Sequence, residues 1–178
     1  MKIKETIFLS GLMLVAAAVF FLYQKQYIIF NIPGPIDISP VKAQKKQIEF
    51  FFFQEETIRN ETQPVIFTDI PEQNMHLVVS RWLEIAFDEK IISKKITLQS
   101  AIASYDSKEL YLSFDSLLWN KESSTFYKWT IIEGILKTIK NLGCGITGVH
   151  FLINHQIMYD YHLDFTNPWP IDGFMNCP

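Results

Sequence analysis

The residues best suited to acid–base chemistry are Asp160, His162 and Asp164, which alternate along the chain. On an extended strand all three share one face, so two carboxylates would flank an imidazole. That is material for a hydrolase acting on cell-wall or carbohydrate substrates. Glycosidase chemistry, however, needs carboxylates on facing elements, and no nucleophile or oxyanion donor stands beside this row. His150 and His155 bracket a predicted strand end. His155, His162 and a carboxylate would make a metal set, but the compact spacings of metal sites, H-x-x-x-H or C-x-x-C, are missing. Gly143-Cys144-Gly145 offers a thiol in a loop. A nucleophilic cysteine needs a neighbouring base and a lowered pKa, and His150 reaches Cys144 only if its strand bends back. The loop also follows a helix instead of preceding one, so it is no phosphate cradle. Glu55-Glu56 and Asp88-Glu89 read as adjacent surface charges. The expectation is a non-enzyme without metal or cofactor, and the Asp160–His162–Asp164 row is the hydrolytic alternative.

Location is written more plainly than chemistry. After Lys2 and Lys4 the chain is apolar and uncharged from Thr6 to Tyr23, roughly 18 residues, the short end of what spans a bilayer. Residues 1–27 therefore read as a signal-anchor. A cleaved signal peptide would need small residues just after the run, whereas Ala16-Ala17-Ala18 lie inside it; a buried helix fits poorly behind lysines and before a Pro/Gly break. Lysines before the run and the short N-terminal tail place the N-terminus in the cytoplasm and the rest outside it. The expected location is the cell membrane, single-pass, with the C-terminal domain periplasmic or extracellular.

The 178 residues leave one ordinary domain beyond that segment, with 48% hydrophobic residues and 15 phenylalanines to fill its core. A net charge of −3 and a pI near 5.8 exclude the basic stripe that nucleic acid requires. Cys144 and Cys177 are too few for a disulfide framework. They pair and tie down the tail in an oxidising compartment, or remain a buried thiol and a loose tail residue; spacing alone does not decide.

The elements that must position these side chains follow from periodicity. Three prolines and a glycine in Asn31–Pro40 make residues 28–47 a linker. Gln47–Gln54, with Phe50–Phe53, reads as a strand buried on both faces. Residues 55–72 look irregular, with a short strand at 64–68. A helix is predicted over 72–88, its stripe formed by Met75, Val78, Val79, Trp82, Leu83, Ala86 and Phe87. Alternation from Ile96 to Ser104 and from Leu110 to Asp115 gives a hairpin. A second helix runs from an N-cap at Ser123 or Ser124 to Leu142, with Phe126, Trp129, Ile132, Ile135, Leu136 and Ile139 buried and Gly143 as C-terminal cap. Glu133 and Gly134 look incidental to it. Val149, Phe151 and Ile153 form a further strand, Asn154-His155-Gln156 a turn, and Ile157–Phe165 a closing strand or extended segment. The sum is an α+β fold, a small mixed sheet with two amphipathic helices packed on one side.

In this order the chain resembles the GerMN domain of sporulation and spore-germination proteins. The resemblance rests on His76–Phe87, on Leu110–Trp119 with its Leu112-Ser113-Phe114-Asp115 turn, on Trp129–Asn154, and on His162–Trp169. It covers about residues 48–170 and leaves 171–178 as a tail. The chain departs from the pattern in three places. His155 stands where a hairpin glycine is usual, Asp88-Glu89-Lys90 replaces a Gly-Pro after the first helix, and there is no lipid-attachment cysteine. The resemblance implies a non-enzymatic, envelope-facing binding or scaffold module that joins a protein complex or associates with itself. The expected contact residues are Arg81, Glu84, Lys137 and Lys140 on the helix faces, and Tyr159 and Tyr161 at the sheet edge.

Overall fold

The phenylalanine run lies in a long antiparallel hairpin. Strand β1 (Gln44–Gln54) pairs with β2 (Thr57–Phe67), in register from Gln44–Phe67 to Gln54–Thr57. The computed structural model describes residues 43–54, 57–104, 106 and 108–174, with Met13. Apart from Met13, the apolar run 6–23 lies outside the described residues, as do residues 28–42 of the linker, Glu55-Glu56 and Cys177; residues 44–47, expected in the linker, are the first of β1. Alternation sends Ile48, Phe50 and Phe52 into the core, while Phe51 and Phe53 are only half-buried. The strand expected to be buried on both faces is thus fully buried on one. β2 corrects the irregular reading of 55–72: Arg59, Asn60, Glu61, Thr62 and Gln63 carry no apolar period, and pairing with β1 makes them a strand.

Helix α1 (Pro71–Asp88) starts with proline in its first turn, where a missing N–H costs nothing. Met75, Val78, Val79, Trp82, Leu83 and Ala86 are buried as their spacing predicts. Phe87 is exposed instead, and Ile85 takes its place; at about 100° per residue Phe87 stands farther round from the stripe's centre. The helix stops in a Schellman arrangement. Lys90 N–H donates to Phe87 O (3.0 Å) and Ile91 N–H to Ala86 O (2.8 Å), which puts Lys90 at φ +60°.

Strand β3 (Leu98–Ser104) runs antiparallel to β4 (Glu109–Phe114), and β4 runs parallel to β5 (Gly148–Ile153). Between β4 and β5 the chain crosses over through α2 (Thr125–Lys140), as a parallel pair requires. β6 (Gln156–Ile157) and β7 (Trp169–Pro170) add antiparallel pairs to β5 and complete a mixed five-stranded sheet. A register shift between Leu98 and Ser100 breaks the alternation expected from Ile96. Beyond it Ala101 is buried and Ile102 is 58% exposed.

Helix α2 begins at the predicted cap: Ser124 Oγ accepts the Tyr127 N–H at 3.2 Å. It ends two residues before Leu142, with Gly143 in the left-handed region at φ +67°. Ile132, Ile135, Leu136 and Ile139 are buried as expected, but Trp129 is half-buried and Phe126 is 55% exposed, while Ile131 joins the core. The buried surface even includes Lys128, Thr130, Glu133 and Thr138, so α2 is enclosed nearly all round.

Gly134 is not incidental. A Cβ there would lie 2.8 Å from Phe51 O and 3.1 Å from the Trp82 ring. The close approach lets β1 dock on both helices. Phe51 donates its N–H to Thr138 Oγ1 (3.0 Å), and its carbonyl accepts from Trp82 Nε1 (2.9 Å). Both backbone groups of Phe51 that point away from β2 are thereby satisfied by helix side chains. Trp82 in turn stacks on Phe52 with ring centres 5.3 Å apart. These elements belong to one unit, Pro40–Pro178, with an α+β architecture of two helices, a hairpin and a mixed sheet. No helix among the described residues is long and apolar enough to cross a membrane.

Candidate binding surfaces around residues 157–174

Beyond β6 the expected closing strand ends at Ile157, and Met158–Pro168 is irregular. Its aspartates fold it locally. Asp160 Oδ1 accepts the His162 N–H at 2.9 Å, and Asp164 Oδ1 accepts from the Thr166 N–H and hydroxyl at 2.8 and 2.6 Å. Without a strand, Asp160, His162 and Asp164 share no pleated face.

Asp160 is the partner of a residue that the sequence reading passed over. Its Oδ2 accepts from Lys128 Nζ at 2.7 Å and from Trp119 Nε1 at 3.2 Å. The two ionised side chains are 5% and 1% exposed. Burial pushes the Asp160 carboxyl up, but hydrogen bonds from Lys128, the His162 N–H and Trp119, together with the Lys128 charge, bring it below the ordinary carboxylate range. A general acid needs the opposite shift. The pair instead pins the irregular segment to α2. The signal was present in the sequence: Lys128 stands three, four and seven residues before Ile131, Ile132 and Ile135, on the apolar stripe, where a lysine must find a buried partner.

His162 is exposed, its Nδ1 3.8 Å from Asp160 Oδ1. Hydrogen bonds to Thr166 are the leading cause that lowers the Asp164 carboxyl. His150 stacks flat on Tyr111 at 4.4 Å and meets Glu109 Oε2 at 3.3 Å. His155 occupies the β5–β6 turn at φ +63°, after Asn154 at +48°. Among the described residues no group of three or more His, Cys, Asp or Glu is placed to hold a metal. Cys144 is exposed, with its Sγ 3.9 Å from Met75 Sδ. Partial burial of the thiol pushes its pKa up, away from a nucleophile's.

The contact candidates differ in how free they are. Arg81 is held by Glu84 (2.6 Å) and by Gln63 Oε1 (2.7 Å). Lys140 pairs with Asp172 at 2.9 Å, and Lys137 Nζ sits 5.4 Å from the centre of the Phe51 ring. Lys137 and Lys140 also line a cleft of about 430 Å³ with Phe51, Phe53 and Glu133. Tyr159 and Tyr161, by contrast, are 73% and 80% exposed, edge-to-face with each other at 5.4 Å, and follow the exposed Ile157.

A second cleft, of about 350 Å³, opens near the same segment. Trp129, Leu163, Pro168, Trp169, Pro170 and Phe174 wall it, and His162, Asp164 and Asn167 lie at it as well. Phe174 contacts both tryptophans, 6.1 Å from Trp129 and 5.6 Å from Trp169. The Phe174 N–H is anchored on Glu133 Oε1 at 2.6 Å.

The sequence matches no protein-family profile and no curated protein. Two solved structures are similar in fold. One is a candidate lipoprotein from Clostridium perfringens, 16% identical, with a TM-score of 0.41 over 73% of this chain and 89% of that one. The other is the tandem GerMN domains of the sporulation protein GerM from Bacillus subtilis, 12% identical, with a TM-score of 0.46 over 79% of this chain. This chain spans about half of that tandem, 48% of its length.

Proposed function

We propose that this protein is a membrane-anchored, envelope-facing binding module without catalytic activity, and that it takes part in assembling an envelope protein complex or in self-association. The supporting observation is the surface formed by Ile157, Tyr159 and Tyr161. Large amphipathic side chains held open to solvent beside a sheet end are enriched in interfaces, where they bury much area at a small entropic cost. Both rings lie on a segment fixed to α2 by the buried Lys128–Asp160 pair, so the surface is preorganised. The faces at Arg81/Glu84 and Lys137/Lys140 are secondary contacts, because Arg81, Glu84 and Lys140 are ion-paired within the domain and Lys137 lies over the Phe51 ring. Anchoring is assigned to the Thr6–Tyr23 run, with the domain outside the cytoplasm.

Simultaneous substitution of Tyr159→Ala and Tyr161→Ala tests this reading. Co-purification of the membrane partner, or of a second tagged copy, is expected to fall by about tenfold or more. The melting temperature stays within a degree or so, since neither ring is part of the core. Unchanged co-purification of the double variant would defeat the proposal.

A further inference from the structure

The hairpin that docks on both helices leaves its other edge open. Antiparallel neighbours alternate between pairs that exchange both backbone hydrogen bonds and pairs that exchange none, whose N–H and C=O point away from each other. Phe51 is of the second kind, because its N–H and carbonyl bond Thr138 and Trp82. Its partner across the hairpin is Asn60. The N–H and C=O of Asn60 therefore point outward from β2, and those of Ile58 and Thr62 do so by alternation. Pro64 falls in the same outward set, so its missing N–H costs the hairpin no bond. Among the described residues β2 pairs with β1 alone, and Arg59, Asn60 and Thr62 are exposed. Such an edge is a template for a further strand.

The side chains indicate which strand. Arg59 and Glu61 flank Asn60 and share one face of β2. We infer that β2 pairs antiparallel with β2 of a second copy of this chain, about a twofold axis at Asn60. In that register Asn60 meets Asn60 of the second copy, Ile58 meets Thr62, and Arg59 lies directly opposite Glu61, once on each side of the axis. Sliding one strand by two residues would set Arg59 against Arg59 or Glu61 against Glu61. Sliding it by one would turn the bonding groups out of register. The charge pattern of this strand is thus complementary to itself, whereas a strand of a single sign would attract one of the two residues and repel the other. Arg59 Nη1 also reaches Gln54 Oε1 at 3.3 Å, and Glu61 accepts from the Gln63 amide; a guanidinium and a carboxylate each bond more than one neighbour. Pro64 cannot donate and stops the ladder, so the contact is short and belongs with weak, transient associations. Dilution during co-purification releases it, which keeps it distinct from the tyrosine contact. The inference does not rest on that surface and survives its failure.

Disulfide trapping of the full-length protein in its native membrane, with Cys144→Ser and Cys177→Ser, tests the pairing and its register. Under mild oxidation Asn60→Cys should give a disulfide-linked dimer, because residues of a hydrogen-bonded pair lie about 5.5 Å apart at Cα, within disulfide reach. Thr62→Cys should not, since its own counterpart lies about 13 Å along the strand. Arg59→Glu and Glu61→Arg each place like charges opposite one another and should lower the Asn60→Cys yield about fivefold. Combined in one chain, the two reversals restore the opposite-charge pairs and the yield. No dimer from Asn60→Cys, an equal yield from Thr62→Cys, a yield indifferent to the single reversals, or no recovery in the combined variant would each overturn the inference. The comparison of the two cysteine positions needs no charge reversal, so it stands even if a reversed variant misfolds.

Discussion

At the residue scale, the two departures from the GerMN pattern other than the missing cysteine both fall where the backbone is left-handed. Lys90 ends α1 at φ +60°, and His155 completes the β5–β6 turn at φ +63°. A residue with a Cβ pays about 1–2 kcal/mol there, partly offset by glycine's greater chain entropy. His155→Gly and Lys90→Gly should therefore each stabilise the domain, by about 0.5–1 kcal/mol, read as a rise in melting temperature. The His155 N–H bond to Ser113 Oγ (2.9 Å) needs no side chain and survives the first change. A fall in melting temperature would show that the imidazole has a stabilising role of its own. Lys128 and Asp160 behave oppositely. Asp160→Asn leaves an ammonium buried beside a neutral amide and should cost about 3–5 kcal/mol, while Lys128→Met with Asp160→Leu costs far less, because no charge is then stranded. Because the Asp160 carboxyl is lowered in the folded state, its contribution is present above the unfolded pKa of about 3.9 and is lost as pH falls through the lower folded value. Acid titration of the melting temperature should show that loss in the parent and not in the double variant.

At the element scale, the structure depends on how β1 lies across α1 and α2. Gly134 allows the contact, and Thr138 and Trp82 saturate the Phe51 backbone. Gly134→Ala gains helix propensity but forces a methyl against a carbonyl, so it should destabilise by about 1–3 kcal/mol in chemical denaturation, not stabilise. Stabilisation would mean that the strand is free to lift. Most elements were legible in the sequence: the caps at Ser124 and Gly143, the α1 stripe and the alternation of β4 and β5 are local signals. Of β2 only its end, within 64–68, was, since its mostly polar residues 57–63 become a strand only through a distant pairing. Nor was the bulge that exposes Ile102, because register is a property of two strands together. The irregular 158–168 segment was misread because Tyr159, Tyr161 and Leu163 alternate like a strand, while the Asp160 and Asp164 turns decide the geometry. Of the candidate surfaces, Tyr159 and Tyr161 are exposed, as a contact role would require. Lys128 was readable in principle as a cation on an apolar stripe.

At the scale of the whole molecule, the proposed function requires the domain to lie outside the cytoplasm. Cys144, an exposed residue whose thiol is partly buried, gives a direct check on sidedness. In a Cys177→Ser background, a membrane-impermeant maleimide should label it in intact cells; labelling only after lysis would place the domain inside. The central claim, that the Tyr159–Tyr161 surface is the contact face, is tested most directly by photo-crosslinking the full-length protein in its native membrane. Photoreactive residues would replace Tyr159, Tyr161, Arg81, Glu84, Lys137 and Lys140 one at a time. The account predicts one dominant crosslinked species, a partner or a second copy, from positions 159 and 161, with weaker yields from the charged faces. Crosslinks from the charged faces alone, or none from any position, would contradict it.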